Sequence, residues 1–200
     1  YKSNAWSTSD QFIIDNSPSG GLQIWVNTTA GTLRLGRSAT DFQIDYLYSS
    51  LTVNSWNHFA FVRSGTSMAL FVNGTRVSTA TSSASYASGG TQYIGKSSGV
   101  SGYWAGYISN LRVVNGTAVY NPSLTSVTVP TSPLTAITNT TLLTCQDNRF
   151  RDNSTLTYTL TPSGSTSVQS FSPFAPTIPY STSTVGGSYY FSGAAADQIK

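Results

Sequence analysis

Glutamate is absent from this 200-residue chain, cysteine, histidine and methionine occur once each, and charged side chains make up only 8% of it. Each scarcity excludes a class of chemistry. One His and one Cys cannot assemble the thiolate or imidazole set of a structural zinc site. The lone Cys145 cannot close a disulfide within the chain, and its setting, Leu142-Leu143-Thr144-Cys145-Gln146, reads as a buried strand where Cys serves as a small hydrophobe. No apolar run is long enough to span a bilayer as a helix, and no signal peptide or lipidation motif is visible. Ten Lys and Arg are spread thinly from Lys2 to Lys200, with Arg149 and Arg151 the closest pair, so no basic run tracks a phosphate backbone. The net charge of +3 and the pI near 9.0 follow from scarce acids more than from abundant bases. Neither nucleic-acid binding nor membrane insertion is expected.

What is plentiful points to strands. With 17 Gly, 12 Tyr, 9 Phe and a high content of Ser and Thr, the composition is that of an all-β protein, and no segment carries a convincing helical pattern. The length suits one sizeable sandwich core. Residues 55–77 are the clearest case. Phe59, Phe61 and Arg63 alternate with His58, Ala60 and Val62; residues 64–67 supply a turn; residues 68–72 return; and Asn73-Gly74 turns the chain again. Residues 22–26 alternate as another strand around Trp25.

The order Trp56-Asn57-His58-Phe59-Ala60, Val62-Arg63, a short turn, then Leu70-Phe71-Val72-Asn73-Gly74 closely resembles the central hairpin of laminin-G-like domains, which belong to the concanavalin A-like jelly rolls. At the family's spacing, residues 102–113 (Gly102-Tyr103-Trp104 through Ile108-Ser109-Asn110-Leu111-Arg112-Val113) resemble its closing strand, with Ser109-Asn110 where an acidic residue is common. The resemblance implies an antiparallel jelly-roll β-sandwich, with residues 108–113 continuing as one strand and Trp56 and Trp104 in its core.

A laminin-G-like unit usually opens with strands that the beginning of this chain lacks, and residues 186–193, around Tyr189-Tyr190-Phe191, resemble that opening strand. Residues 1–135 therefore read as the last two thirds of one unit, and residues 136–200 as a junction marked by Pro130 and Pro133, an extended strap and the opening strand of a following or permuted unit. The chain reads as a window cut from tandem repeats. A jelly roll without its opening strands exposes a sheet edge and an apolar face. Three covers are open: the segment 186–199 folding back beside residues 106–114, a strand from an adjacent chain, or another part of the same polypeptide. Residues 154–184, rich in Ser, Thr and Pro, read either as a polyproline-like strap that buries Phe171, Phe174 and Tyr180 or as a linker.

Glucanases of this fold resemble one another through a strand-borne pair of Glu, which this chain lacks, so no enzymatic activity is expected. Asp41 and Asp45, four apart on one face of a predicted strand, are the remaining carboxylate pair; they are candidates for ligand binding, or simply a solvated strand face. Trp6 is the candidate aromatic platform. Asp147, Asp152 and Asn153, with Asn148, offer hard oxygen ligands for a calcium ion, turn capping being their other use. Phrases such as Asn115-Gly116-Thr117-Ala118-Val119-Tyr120 and Ser170-Phe171-Ser172-Pro173-Phe174 resemble laminin-G-like repeats in large virion proteins of marine tailed phages. That likeness implies a tail fibre or capsid fibre at the virion surface, partnered by neighbouring modules, by homo-oligomeric or strand-exchanging contacts and by host-cell glycans. The alternative is a cellular extracellular adhesin or filament subunit.

Overall fold

The computed structural model describes residues 9–16, 20–38, 40–47, 49, 51–52, 54–87, 89–174 and 187–200. Among them the chain is all-β with antiparallel sheets, the architecture of a concanavalin A-like jelly-roll sandwich. It begins as a meander of β1 (Gln11–Asp15), β2 (Gln23–Asn27), β3 (Thr32–Gly36) and β4 (Phe42–Leu47). Alternation sorts these strands into two faces. Ile24, Val26, Leu33, Leu35 and Ile44 enter the main core, while Trp25 turns the other way to stack on Phe12 at 5.9 Å. The β2–β3 turn is closed by Asn27, whose Oδ1 accepts the Ala30 amide at 2.7 Å.

The hairpin of β5 (Phe59–Ser64) and β6 (Ser67–Val72) is in the expected register, Ser64 facing Ser67 across a two-residue turn. Asn73 and Gly74, at φ 49° and 86°, then turn β6 into β7 (Thr75–Thr81), the pairing of positive dihedrals that Asn-Gly supplies at little steric cost. Both faces of this hairpin are covered. Phe59 and Phe61 pack on the main core, whereas Val62, Ala69 and Phe71 form a smaller cluster with Tyr120 and Val127 of the following loop.

The closing strand differs from the sequence expectation. It is two strands, β9 (Ala105–Ile108) and β10 (Leu111–Val114), because Asn110 sits at φ 54° and breaks the ladder. Asn110 is well held there: its amide donates to the Cys145 carbonyl at 3.0 Å and its Oδ1 accepts from Leu134 N at 2.8 Å. The chain thus changes partners, β10 pairing with β11 (Thr140–Thr144) and β9 with β14 (Ser188–Ser192). Cys145 lies one residue past β11, fully buried, and burial pushes its thiol pKa well up.

Strand β14 is the fold-back of the carboxy-terminal segment, Tyr189 facing Ile108 and Tyr190 facing Tyr107. It places Tyr189 and Phe191 in the main core with no exposed surface. The end of the chain continues the closure, since β15 (Gln198–Ile199) joins β8 (Tyr93–Ile94) to β12 (Pro162–Ser163). The short β13 (Ser167–Gln169) lines the other side of β14. One sheet therefore runs β12-β15-β8-β1-β2-β3-β4, and strands from both sides of residue 135 share sheets. No helix among the described residues is long and apolar enough to cross a membrane.

Candidate functional site

Strand alternation in β14 and β9 decides where the aromatic side chains go. Tyr189, Phe191 and Ile108 point inward and are buried, so their neighbours Tyr190 and Tyr107 share the outer face, cross-strand partners with ring centroids 5.0 Å apart. Two further rings join them from outside the sheet. Trp56, in the loop leading into β5, meets Tyr107 at 6.4 Å, and Phe171, two residues beyond β13, stacks on Trp56 at 5.2 Å and meets Tyr107 edge-on at 4.9 Å. Phe171 keeps 40% of its surface exposed; the other three are half-buried.

The loop carrying Trp56 is fixed by amide side chains. Asn57 donates to the Thr52 carbonyl at 2.8 Å and accepts from Asn73 Nδ2 at 3.2 Å, while Asn73 Oδ1 accepts the His58 amide at 2.8 Å. The Asn-Gly turn therefore does two jobs, reversing the strand and bracing the Trp56 loop. Burial lowers the His58 pKa and favours the neutral ring. Four rings held at fixed angles present ring faces and edges of the kind on which the C–H faces of a pyranose pack, with tyrosine adding a polar tip.

None of the ligand- or metal-binding candidates named from sequence belongs to this cluster. Trp6 lies outside the described residues, as does Tyr180. Asp41 precedes β4, where it accepts from Gln43 Nε2 at 2.6 Å and pairs with Arg37, and Asp45 pairs with Arg34 at 3.3 Å across the β3–β4 ladder. The register slips between those two aspartates, which serve two separate arginines. Asp147, Asp152 and Asn153 each have separate protein partners. Asp147 pairs with Arg151 at 2.7 Å. The buried Asp152 accepts four hydrogen bonds, from the amides of Leu143, Ser154 and Tyr158 and from the Ser154 hydroxyl at 2.6 Å. Asn153 donates to Gln146 Oε1 at 3.1 Å. Among the described residues no three His, Cys, Asp or Glu side chains gather as a metal set.

The remaining carboxylates are equally committed. Asp10 accepts from Asn27 and Thr28, and the buried Asp15 from Gln23, Ser97 and Ser98. Asp197 accepts from Ser165 N at 2.6 Å and Ser192 N at 2.7 Å; burial pushes its pKa up, but these hydrogen bonds outweigh that and hold it below the ordinary value. Since there is no Glu, all seven acids of the chain have local structural duties.

From sequence, Trp56 reads as core and Phe171 as buried in a strap or lying in a linker; Trp56 is instead half-buried on the outer face and Phe171 keeps 40% of its surface exposed. The signal that could have found the cluster was the alternation Tyr189-Tyr190-Phe191 against Gly106-Tyr107-Ile108, which puts both central tyrosines on the face opposite the core. Among known proteins, the family model that matches is Laminin_G_3, of the concanavalin A-like lectin/glucanases superfamily, over residues 1–120. Neither a curated protein nor a solved structure matches the chain. Carrying that match over more than half its length, together with the all-β antiparallel sandwich, the chain belongs to the laminin-G-like members of the concanavalin A-like lectin/glucanase superfamily, as a domain of carbohydrate-binding or adhesion type.

Proposed function

We propose that the chain is a non-catalytic glycan-binding adhesion module of a virion surface appendage, a tail fibre or capsid fibre, and that its glycan packs on Trp56, Tyr107, Phe171 and Tyr190. The observation that carries the binding reading is the convergence of these four rings on one outer face. The commitment of all seven carboxylates to arginines, amides and hydroxyls supports a module without hydrolytic chemistry, because glycoside hydrolysis asks for two carboxyl groups facing the scissile bond. The appendage reading rests on the likeness of the loop phrases around residues 115–120 and 170–174 to virion repeats.

A glycan array probed with the whole chain, followed by titration of any hit, tests the binding site. Trp56→Ala and Tyr190→Ala are expected to weaken binding at least tenfold, and Asp41→Asn to leave it unchanged. Failure of every sugar to saturate the protein, or unchanged binding by both aromatic variants, would overturn the site. Mass spectrometry of the intact parent polypeptide tests the setting: peptides copurifying with capsid or tail proteins support the virion appendage, and a parent found in cellular extracellular material supports the adhesin or filament instead.

A further inference from the structure

We infer a second saccharide subsite, for a sugar bearing a single carboxylate, around Arg76 on the outer face of β6 and β7; the inference rests on the glycan-binding reading above but uses none of its residues. A depression of about 420 Å³ opens there, lined by Ser67, Met68, Arg76, Thr79, Thr81 and Ser123, with Ala80 and Pro122 completing its wall.

Its charge is preorganised. Arg76 lies opposite Phe71 on the outer face of the hairpin, and its Nη1 donates to the carbonyls of Pro122 at 3.1 Å and Ser123 at 2.9 Å, while its own amide donates to the Thr125 carbonyl at 2.9 Å. One arm of the guanidinium fork is thus pinned to the loop. The other nitrogens make no hydrogen bond among the described residues, which leaves donors in the planar geometry that a carboxylate takes in bidentate fashion.

No internal counter-ion competes for that position. Arg34, Arg37 and Arg151 each hold an aspartate, and the other four aspartates are committed to amides and hydroxyls elsewhere. No carboxylate lines the depression. The four hydroxyl side chains at Ser67, Thr79, Thr81 and Ser123 supply donors and acceptors suited to sugar hydroxyls, and Pro122 supplies apolar wall, the Met68 and Ala80 side chains being turned to the main core beneath. With a single cation in its lining, the depression matches one carboxylate per subsite better than a densely sulfated chain, which would call for a run of basic residues.

The test is titration of the whole chain with trigalacturonate and with its methyl-esterified, neutral counterpart, followed by NMR or calorimetry at low and high salt. The charged form is expected to bind at least tenfold more tightly than the ester, to lose that margin in Arg76→Gln, to keep only part of it in Arg76→Lys, and to weaken with added salt. Because Arg76 also pins the loop, Thr79→Val provides a variant that leaves the Pro122 and Ser123 contacts intact, and it too should weaken the charged form severalfold. Equal binding of acid and ester, no binding of either, or a margin that survives both Arg76→Gln and Thr79→Val would overturn the inference. Failure of the aromatic site reads differently: there Trp56→Ala would leave neutral sugars bound as before, whatever Arg76 does.

Discussion

Phe191→Ala tests whether the carboxy-terminal segment is part of the core or merely rests on it. Phe191 has no exposed surface, and its ring lies over Gly95, so close that a Cβ on that glycine would overlap it. Gly95 is itself anchored, its amide donating to the Ile13 carbonyl at 3.1 Å and its carbonyl accepting from Trp104 N at 2.8 Å. The backbone beneath the ring therefore cannot collapse into the space that a truncated side chain leaves. Phe→Ala substitutions in cores cost roughly 3–5 kcal/mol, and a poorly collapsing site belongs in the upper half of that range. At about 2–4 °C per kcal/mol for a domain of this size, the thermal midpoint should fall by roughly 8–20 °C. Tyr190→Ala is the matched control one residue away. It points outward and gives up a half-exposed ring contact with Tyr107, so it should cost only about 1 kcal/mol while removing part of the glycan platform. Reversible urea unfolding monitored by tryptophan fluorescence reads both. Equal, small effects of the two substitutions would show that β14 does not contribute to the core and would refute the closure of the sandwich by the end of its own chain.

Three other outcomes follow from the same geometry. Asn110→Ala removes a residue type tolerant of positive φ together with the acceptor for Leu134 N, and should cost about 1–3 kcal/mol in the same unfolding assay, whereas Asn110→Gly should recover the backbone part of the loss. Asp197 has a folded pKa below that of the unfolded chain, so the unfolded state takes up its proton first; its contribution is present above about pH 4 and is lost as the pH falls through the folded value. Asp197→Asn should therefore flatten the acid limb of a stability-against-pH curve, and an unchanged limb would refute that role. A saccharide that packs on Tyr107 and Tyr190 would bridge β9 and β14, so supplying it at a hundredfold over its Kd should stabilise the fold by about 2.7 kcal/mol, which a tenfold weaker Tyr190→Ala should cut to about 1.4 kcal/mol or less in a thermal scan.

The central hairpin was legible because its information is local. Gly65 and Asn73-Gly74 fix two turns, the alternation between them fixes register, and a one-residue slip would turn Leu70 out of the main core. The fold-back of residues 186–199 could be written down as one of three covers for an exposed edge, but choosing among them needs the complementarity of Phe191 with Gly95, which no periodicity encodes. The break at Asn110 was missed for a similar reason. Leu111 and Val113 do alternate, and only the hydrogen bonds to Leu134 and Cys145 show why the chain leaves the ladder just before them. Aspartates were the weakest sequence signal. A carboxylate beside Ser, Thr and Asn looks the same in sequence whether it awaits a ligand or caps its own loop, and Asp152, with four donors around it, is doing the latter.

The scarcity of charge also constrains how the surface can bind. The seven acids of the chain all meet its own arginines, amides or hydroxyls, so the proposed recognition is assigned to rings, hydroxyls and one arginine. The two proposed sites should therefore respond oppositely to ionic strength. Packing on Trp56, Tyr107, Phe171 and Tyr190 involves no ion pair and should be insensitive to salt, whereas the Arg76 depression depends on one exposed charge that is screened within about 10 Å at 0.1 M salt. Under this proposal, placing the larger share of binding on uncharged rings would let a weakly charged surface hold a glycan at ionic strengths where a basic patch would release it.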